Sequence, residues 1–172
     1  MARVAITALD AAVDALGARS LLDAACGDAG WIAAHFLARR PGLGYTGVDI
    51  VPHVVEENRR RHPSLRFECA DLGGDGASEL PAADLVFSKE TFNHMVVQDA
   101  LRAVCKLRAA GCRFLLTNIT RLAPNFHGVD KGGHQNYAQY DYSLPPFSLR
   151  KLAPLAEISA EDWTEFALFS LQ

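Results

Sequence analysis

The stretch Leu21-Leu22-Asp23-Ala24-Ala25-Cys26-Gly27-Asp28-Ala29-Gly30-Trp31 constrains this chain more than any other. An apolar run over Ser20 to Ala24 ends in small residues, and a helix-compatible segment over Gly30 to Arg39 begins at once. That order predicts a strand, a tight turn and a helix. Small side chains at such a turn let a ligand approach the backbone closely. The first N–H groups of the following helix lack intrahelical acceptors and carry the positive end of its dipole, which favours an anionic or oxygen-rich group. Gly and Ala at a strand-to-helix turn also serve plain close packing, and one Gly-rich turn does not separate the two uses.

Spacing does more. Tyr45-Thr46-Gly47-Val48-Asp49 reads as a second short strand ending in a carboxylate, 22 positions after Gly27. An acid about 20 residues past the turn, at the tip of the second strand, is placed to accept from ribose hydroxyls. A dinucleotide site asks for G-x-G-x-x-G so that a pyrophosphate can sit on the helix N-terminus. Ala25-Cys26-Gly27-Asp28-Ala29-Gly30 lacks two of those glycines, and Asp23 and Asp28 would set negative charge near a pyrophosphate. A cofactor with a cationic amino-acid end suits these carboxylates better, and S-adenosyl-L-methionine is such a molecule.

Asp23 to Trp31, followed by Tyr45-Thr46-Gly47-Val48-Asp49-Ile50-Val51-Pro52, resembles the opening of class I S-adenosylmethionine-dependent methyltransferases. Within them it is similar to a small bacterial subgroup reading D-x-P-C-G-D-x-x-W and then Y-x-G-V-D-I-V-P. The similarity continues through Phe67-Glu68-Cys69-Ala70-Asp71, Ala83-Asp84-Leu85-Val86-Phe87, His94, Phe114-Leu115-Leu116-Thr117 and Leu144-Pro145-Pro146-Phe147. The resemblance implies an α/β fold, a Rossmann-like three-layer sandwich whose seven-stranded, mostly parallel sheet ends in a C-terminal antiparallel hairpin. It also implies cofactor contacts from Asp23, Ala25, Cys26, Gly27, Gly30, Trp31, Asp49, Ile50, Asp71, Leu72 and Ser88. Asp71 would accept from the adenine amino group, with Leu72 lending backbone and apolar contact; the alternative is a turn-capping aspartate. Trp31 packs either on the cofactor edge or in the core. Ala25 and Ala29 stand where the family's D-x-G-x-G-x-G commonly has glycine, and each Cβ narrows the approach to the backbone. The subgroup usually carries a Gly/Ser-rich segment before its first helix, and this sequence begins after that point.

At 172 residues a single domain is expected, with a first helix over 6–17, a core over 20–118, a substrate loop over 119–146 and a hairpin over 150–172. The 49% apolar and 22% charged composition with net charge −3 describes an ordinary globular protein and leaves no basic footprint for general nucleic-acid binding. Cys26, Cys69, Cys105 and Cys112 form no C-x-x-C pair, no secretory pattern opens the chain, and the spacing does not suit a structural zinc site, so no metal is expected. These features read as reduced thiols in a cytoplasmic protein. Asp10 and Asp14 interrupt the apolar stretch Ile6 to Leu16 at helical spacing, which makes it an amphipathic helix and not a membrane span. The oligomeric state, a homodimer included, stays open.

From Ser20 onward strands and helices alternate: strand Ser20 to Ala24, helix Gly30 to Arg39, strand Gly44 to Asp49, helix Pro52 to Arg61, strand Arg66 to Ala70, strand Ala83 to Ser88, helix Asn93 to Ala109 and strand Arg113 to Asn118. Such alternation predicts a parallel sheet covered on both faces, with ligands at the carboxyl ends of the strands. Arg59-Arg60-Arg61 closes a helix, where positive charge complements the dipole; a solvated helix end outweighs phosphate binding. Leu144-Pro145-Pro146-Phe147 is similar to the N-P-P-F type motif of amino-group methyltransferases on nucleic acid. It follows the fifth strand instead of the fourth and lacks the leading Asn or Asp, so it reads as a rigid turn.

Ser88-Lys89-Glu90-Thr91-Phe92-Asn93-His94 follows the fourth strand and, in this fold, faces the methyl group. Glu90 and His94 are the acid/base candidates for taking a proton from a hydroxyl or amine. The rival reading has Thr91 or Asn93 capping the helix and His94 chemically idle. The irregular segment Ile119 to Pro146 is long enough for a binding loop, and His127, His134 and Tyr137 are its substrate-contact candidates. The tail offers apolar strands over Leu155 to Ile158 and Phe166 to Leu171 joined by a polar turn. The acceptor reads as a small molecule or glycan. Two rivals remain: a nicotinamide-dependent oxidoreductase, whose sheet would lack the closing hairpin, and a non-catalytic binding protein of the same fold.

Overall fold

In the computed structural model, which describes residues 2–75, 79–125, 138–152 and 165–172, seven strands form one sheet. In chain order these are β1 (Ser20–Ala24), β2 (Gly44–Asp49), β3 (Arg66–Cys69), β4 (Leu85–Ser88), β5 (Phe114–Ile119), β6 (Arg150–Lys151) and β7 (Glu165–Ser170). Four α-helices accompany them: α1 (Ala2–Leu16), α2 (Gly30–His35), α3 (Pro52–Arg61) and α4 (Val97–Ala109). The sheet order is β3-β2-β1-β4-β5-β7-β6. β1 to β5 are parallel, β7 runs antiparallel to β5, and β6 antiparallel to β7. The chain reverses its direction of travel across the sheet between β1 and β4, which opens a crevice at the carboxyl ends of the strands.

Alternation along each strand supplies both faces. Leu22, Val86, Leu115 and Phe169 pack with Ala100, Ala103, Val104 and Leu107 of α4. Leu21, Leu85, Phe87, Leu116 and Leu168 pack with Ala5, Leu9 and Val13 of α1, Ile32 of α2 and Val55 of α3. The result is the expected Rossmann-like three-layer α/β sandwich. On α1, Asp10 and Asp14 are one turn apart, so one Arg40 guanidinium engages both, at 2.8 and 2.7 Å. That clamp ties α1 to the segment after α2.

Several boundaries differ from the sequence reading. The helix expected over Gly30 to Arg39 is α-helical only to His35, and a 3₁₀ turn over Leu37–Arg39 follows. The helix expected from Asn93 starts at Val97; Phe92–His94 forms a separate 3₁₀ turn, and Met95 is extended (φ −101°, ψ 151°). Phe92 is buried at the start of that separate turn. The strand expected over 155–158 lies outside the described residues, and Arg150–Lys151 is the segment that pairs with β7. Within the expected substrate loop, Tyr140 and Tyr142 are buried in the core against Phe147, with ring centroids 5.3 and 5.0 Å from it. The turn at Pro145-Pro146 is cis, and the Asn125 side-chain amide, itself buried, donates to the carbonyls of Asp141 and Pro145 at 2.7 and 2.9 Å. No helix among the described residues is long and apolar enough to cross a membrane.

Candidate active site

The turn after β1 is built around two left-handed residues, Ala25 (φ +62°) and Gly27 (φ +50°). A Cβ on Gly27 would meet nothing within 4 Å, so its backbone angle, and not crowding, calls for glycine there. The amides of this turn are already engaged. Gly27 N–H donates to Asp49 Oδ2 at 2.9 Å, Ala29 N–H to Asn58 Oδ1 at 3.3 Å and Gly30 N–H to Asp28 Oδ1 at 2.8 Å. Asn58 Nδ2 returns a bond to the Gly27 carbonyl at 2.7 Å. Of the N–H groups expected to be free for an anionic ligand, those of Gly27, Ala29 and Gly30 are taken by carboxylates and an amide of the chain itself. Asp28 also meets Arg61, and Arg60 and Arg61 bind Glu57, while Arg59 donates to the Phe67 carbonyl. The basic run is therefore spent within the protein.

Beside this turn, at the carboxyl ends of β1 to β4, lies a cavity of about 330 Å³. Ala25 contributes from the first turn, Asp49 and Ile50 from the tip of β2, and Ala70, Asp71 and Leu72 from the end of β3. Lys89, Glu90, Thr91, His94 and Met95 form the wall after β4. Asp49 is held by two donors, Gly27 N–H and Val51 N–H at 3.0 Å. Asp71 Oδ1 accepts from the Gly73 and Gly74 amides at 2.9 Å each, so it caps its turn as well as lining the cavity. A side chain at Gly74 would collide with the Asp71 carboxylate. Across the fold, Lys106 and Arg102 of α4 donate to the Asp71 and Gly73 carbonyls at 2.9 and 2.7 Å, which fixes this loop.

Glu90 also sits in the left-handed region, at φ +52°. A non-glycine residue there costs on the order of 1 kcal/mol and persists only where its surroundings hold it. Two amide side chains do so. Asn118 Oδ1 at the end of β5 accepts the Glu90 N–H at 2.8 Å, and Asn93 Nδ2 donates to Glu90 Oε2 at 2.7 Å. Asn93 thus serves Glu90, and neither it nor Thr91 caps a helix through its side chain.

Other sequence candidates lie outside the cavity lining. Asp23 is 3% exposed and accepts the Tyr45 hydroxyl at 2.9 Å. Burial pushes its carboxyl up to about 7 and nearby Asp49 adds to this, while the Tyr45 bond and Lys89 pull the other way. The Tyr45 hydroxyl is driven up by the same burial and by Asp23. Cys26 is buried, and burial raises its thiol, so it acts as a small neutral packing group. Trp31 meets Phe87 edge-on at 6.2 Å in the core layer shared with α1. Ser88 is fully buried, its hydroxyl without a hydrogen-bond partner among the described residues. Gly30 opens α2. His127, His134 and Tyr137 lie outside the described residues. Sequence reasoning missed Lys89, Met95 and Asn58; only the charge of Lys89 beside Glu90 offered a signal.

Residues 21–111 match the family described as methyltransferase domain. The chain belongs to that family. No curated protein matches it. Among solved structures, the chain is similar to human N-acetylserotonin methyltransferase in complex with S-adenosylmethionine (TM-score 0.66, 17% identity, 98% of this chain and 51% of that one). It is also similar to the magnesium protoporphyrin IX methyltransferase of Synechocystis PCC 6803 with bound S-adenosylmethionine (TM-score 0.63, 17% identity, 96% and 76%). A third likeness is to the methyltransferase domain of bacterial CtHen1-CN (TM-score 0.67, 13% identity, 98% of both chains). The chain spans about half the length of the human enzyme.

Proposed function

We propose that this methyltransferase uses S-adenosyl-L-methionine to methylate a small molecule or glycan, and that it belongs to the bacterial subgroup its first two motifs resemble. One observation carries the reading. Asp49 and Asp71 at the tips of β2 and β3, and Glu90 and His94 after β4, open on a single cavity beside the Gly27 turn. Solved relatives crystallised with S-adenosylmethionine support the choice of cofactor. The residues present suit such a ligand. At about 330 Å³ the space falls within the roughly 300–1,000 Å³ of small-molecule sites, and apolar Ile50, Ala70, Leu72 and Met95 alternate with hydrogen-bond acceptors.

When bound, the cofactor supplies a methyl group already activated by its sulfonium. Asp49 accepts from the ribose hydroxyls, and Ile50, Ala70 and Leu72 pack on the adenine. Asp71 would accept from the adenine amino group, its Oδ1 being held by the loop amides. Ala25, Cys26, Gly27 and Gly30 shape the turn beneath the amino-acid end, with Asp23, Trp31 and Ser88 supporting it from the core. Glu90 or His94 takes the proton from the acceptor hydroxyl or amine, and His127, His134 and Tyr137 contact the acceptor. The cavity wall holds the nucleophile in line and excludes water, which can contribute several kcal/mol without a covalent enzyme nucleophile. One domain, with a substrate loop over 119–146, and a cytoplasmic setting complete the proposal.

Calorimetric titration with S-adenosylmethionine and S-adenosylhomocysteine tests it. Wild-type protein binds both. Asp49→Ala lowers the affinity about 100-fold, because it removes both a ribose acceptor and the carboxylate that holds the Gly27 amide. Folded wild-type protein that gives no binding heat with either compound overturns the reading.

A further inference from the structure

We propose that Lys89 holds the carboxylate of the cofactor's amino-acid end, a role that rests on the cofactor reading above. An amino-acid terminus is zwitterionic, so the site that receives it must answer both charges. Acids are plentiful around the cavity: Asp49, Asp71 and Glu90 all line it. The negative end is harder to place. The turn after β1 would ordinarily offer backbone amides, yet Gly27, Ala29 and Gly30 have given theirs to Asp49, Asn58 and Asp28. A carboxylate brought to that turn would find these three donors occupied and acids beside it.

Lys89 supplies the missing positive charge. It follows β4 directly, lines the cavity, and is half-buried. Its ammonium makes no hydrogen bond or ion pair among the described residues, unlike Arg40, Arg61, Arg102 and Lys106, each already bound to an acid or a carbonyl. β4 pairs in parallel with β1, Phe87 beside Asp23, so Lys89 stands at the β1 end of the cavity, where the cofactor's amino-acid end belongs in this reading, and its charge bears on Asp23. A purely structural role, easing the buried charge of Asp23, is the competing use of the same lysine. A carboxylate on the acceptor is a second source of the same ligand chemistry, and the test distinguishes both from the proposal.

The experiment compares S-adenosylmethionine with its decarboxylated form, which keeps the sulfonium, the ammonium and the nucleoside. Each is titrated calorimetrically into wild type, Lys89→Met and Lys89→Arg, with thermal melting as the fold control. Wild type prefers the carboxylated compound; Lys89→Met loses about tenfold or more on it while binding the decarboxylated one as wild type does, and Lys89→Arg restores most of the preference. Equal loss on both compounds overturns the proposal in favour of support for Asp23. No loss on either overturns it too, and moves Lys89 toward an acceptor carboxylate. Wild type that binds neither compound overturns the cofactor reading itself, an outcome distinct from either of those.

Discussion

The turn after β1 and the segment after β4 border the same cavity but use their polar groups in opposite ways. In the first, backbone amides are closed off by Asp49, Asn58 and Asp28, and the buried Asp23–Tyr45 pair lies beneath. In the second, Lys89, Glu90 and His94 face the cavity, with Glu90 held in a strained backbone conformation by Asn93 and Asn118. A closed turn gives shape and rigidity; an open wall gives chemistry. The division teaches that the turn, the loudest signal in the chain, shapes the cavity's edge, while the segment after β4 supplies most of its polar side chains.

The sharpest way to break this contrast is to damage the open wall and see whether binding follows. Glu90→Gln and His94→Gln are each to be assayed for methyl transfer once an acceptor is known. Whichever residue is the base loses about 10²–10⁴-fold in kcat, while cofactor affinity measured by titration changes less than about threefold. A variant that loses binding and rate together would make the wall part of the cofactor seat and erase the distinction.

A smaller effect sharpens the closed side. The folded protein keeps a proton on Asp23 up to about pH 7, whereas the reference value is 3.8, so folding takes up a proton between those values. This group's contribution is therefore fully present below about pH 3.8, declines as pH rises to about 7, and then stays level. Asp23→Asn removes the decline. Relative to wild type it gains stability between about pH 4.5 and about pH 8, by at most on the order of 4 kcal/mol, as urea unfolding at the two values reads out. Parallel curves for the two proteins would mean that Asp23 stays ionised in the fold.

The smallest expected change tests whether every partner of the turn matters equally. Asp28 is exposed, so Asp28→Ala costs its cap on Gly30 only about 0.5–1 kcal/mol of stability and leaves cofactor affinity within about threefold. A tenfold loss of affinity would show that the amides are reserved less firmly than their geometry indicates.

The five parallel strands, their order of appearance and the placing of Asp49 at the tip of the second were legible in the residues, because each is a local pattern or a fixed spacing. Helix ends were less so: the helix expected from Asn93 took in part of a 3₁₀ turn that stands apart from α4. The cofactor seat was read as wider than the cavity lining, since Cys26, Trp31 and Ser88 belong to the right motifs but point into packing. Asp71 was read with two roles in competition; its Oδ1 does cap the turn, through the Gly73 and Gly74 amides, while the residue also lines the cavity. What the sequence by itself determined is the alternating strand and helix pattern, and with it the crevice at the strand tips, because hydrophobic period and turn chemistry act over a few residues. Only the tertiary structure decided which polar groups are spent. Asn58 reaching Ala29, Tyr45 reaching Asp23 and Asn118 reaching Glu90 join positions 22 to 29 residues apart. A hydrogen bond across such a separation forms only when packing of the sheet and its helices brings donor to acceptor.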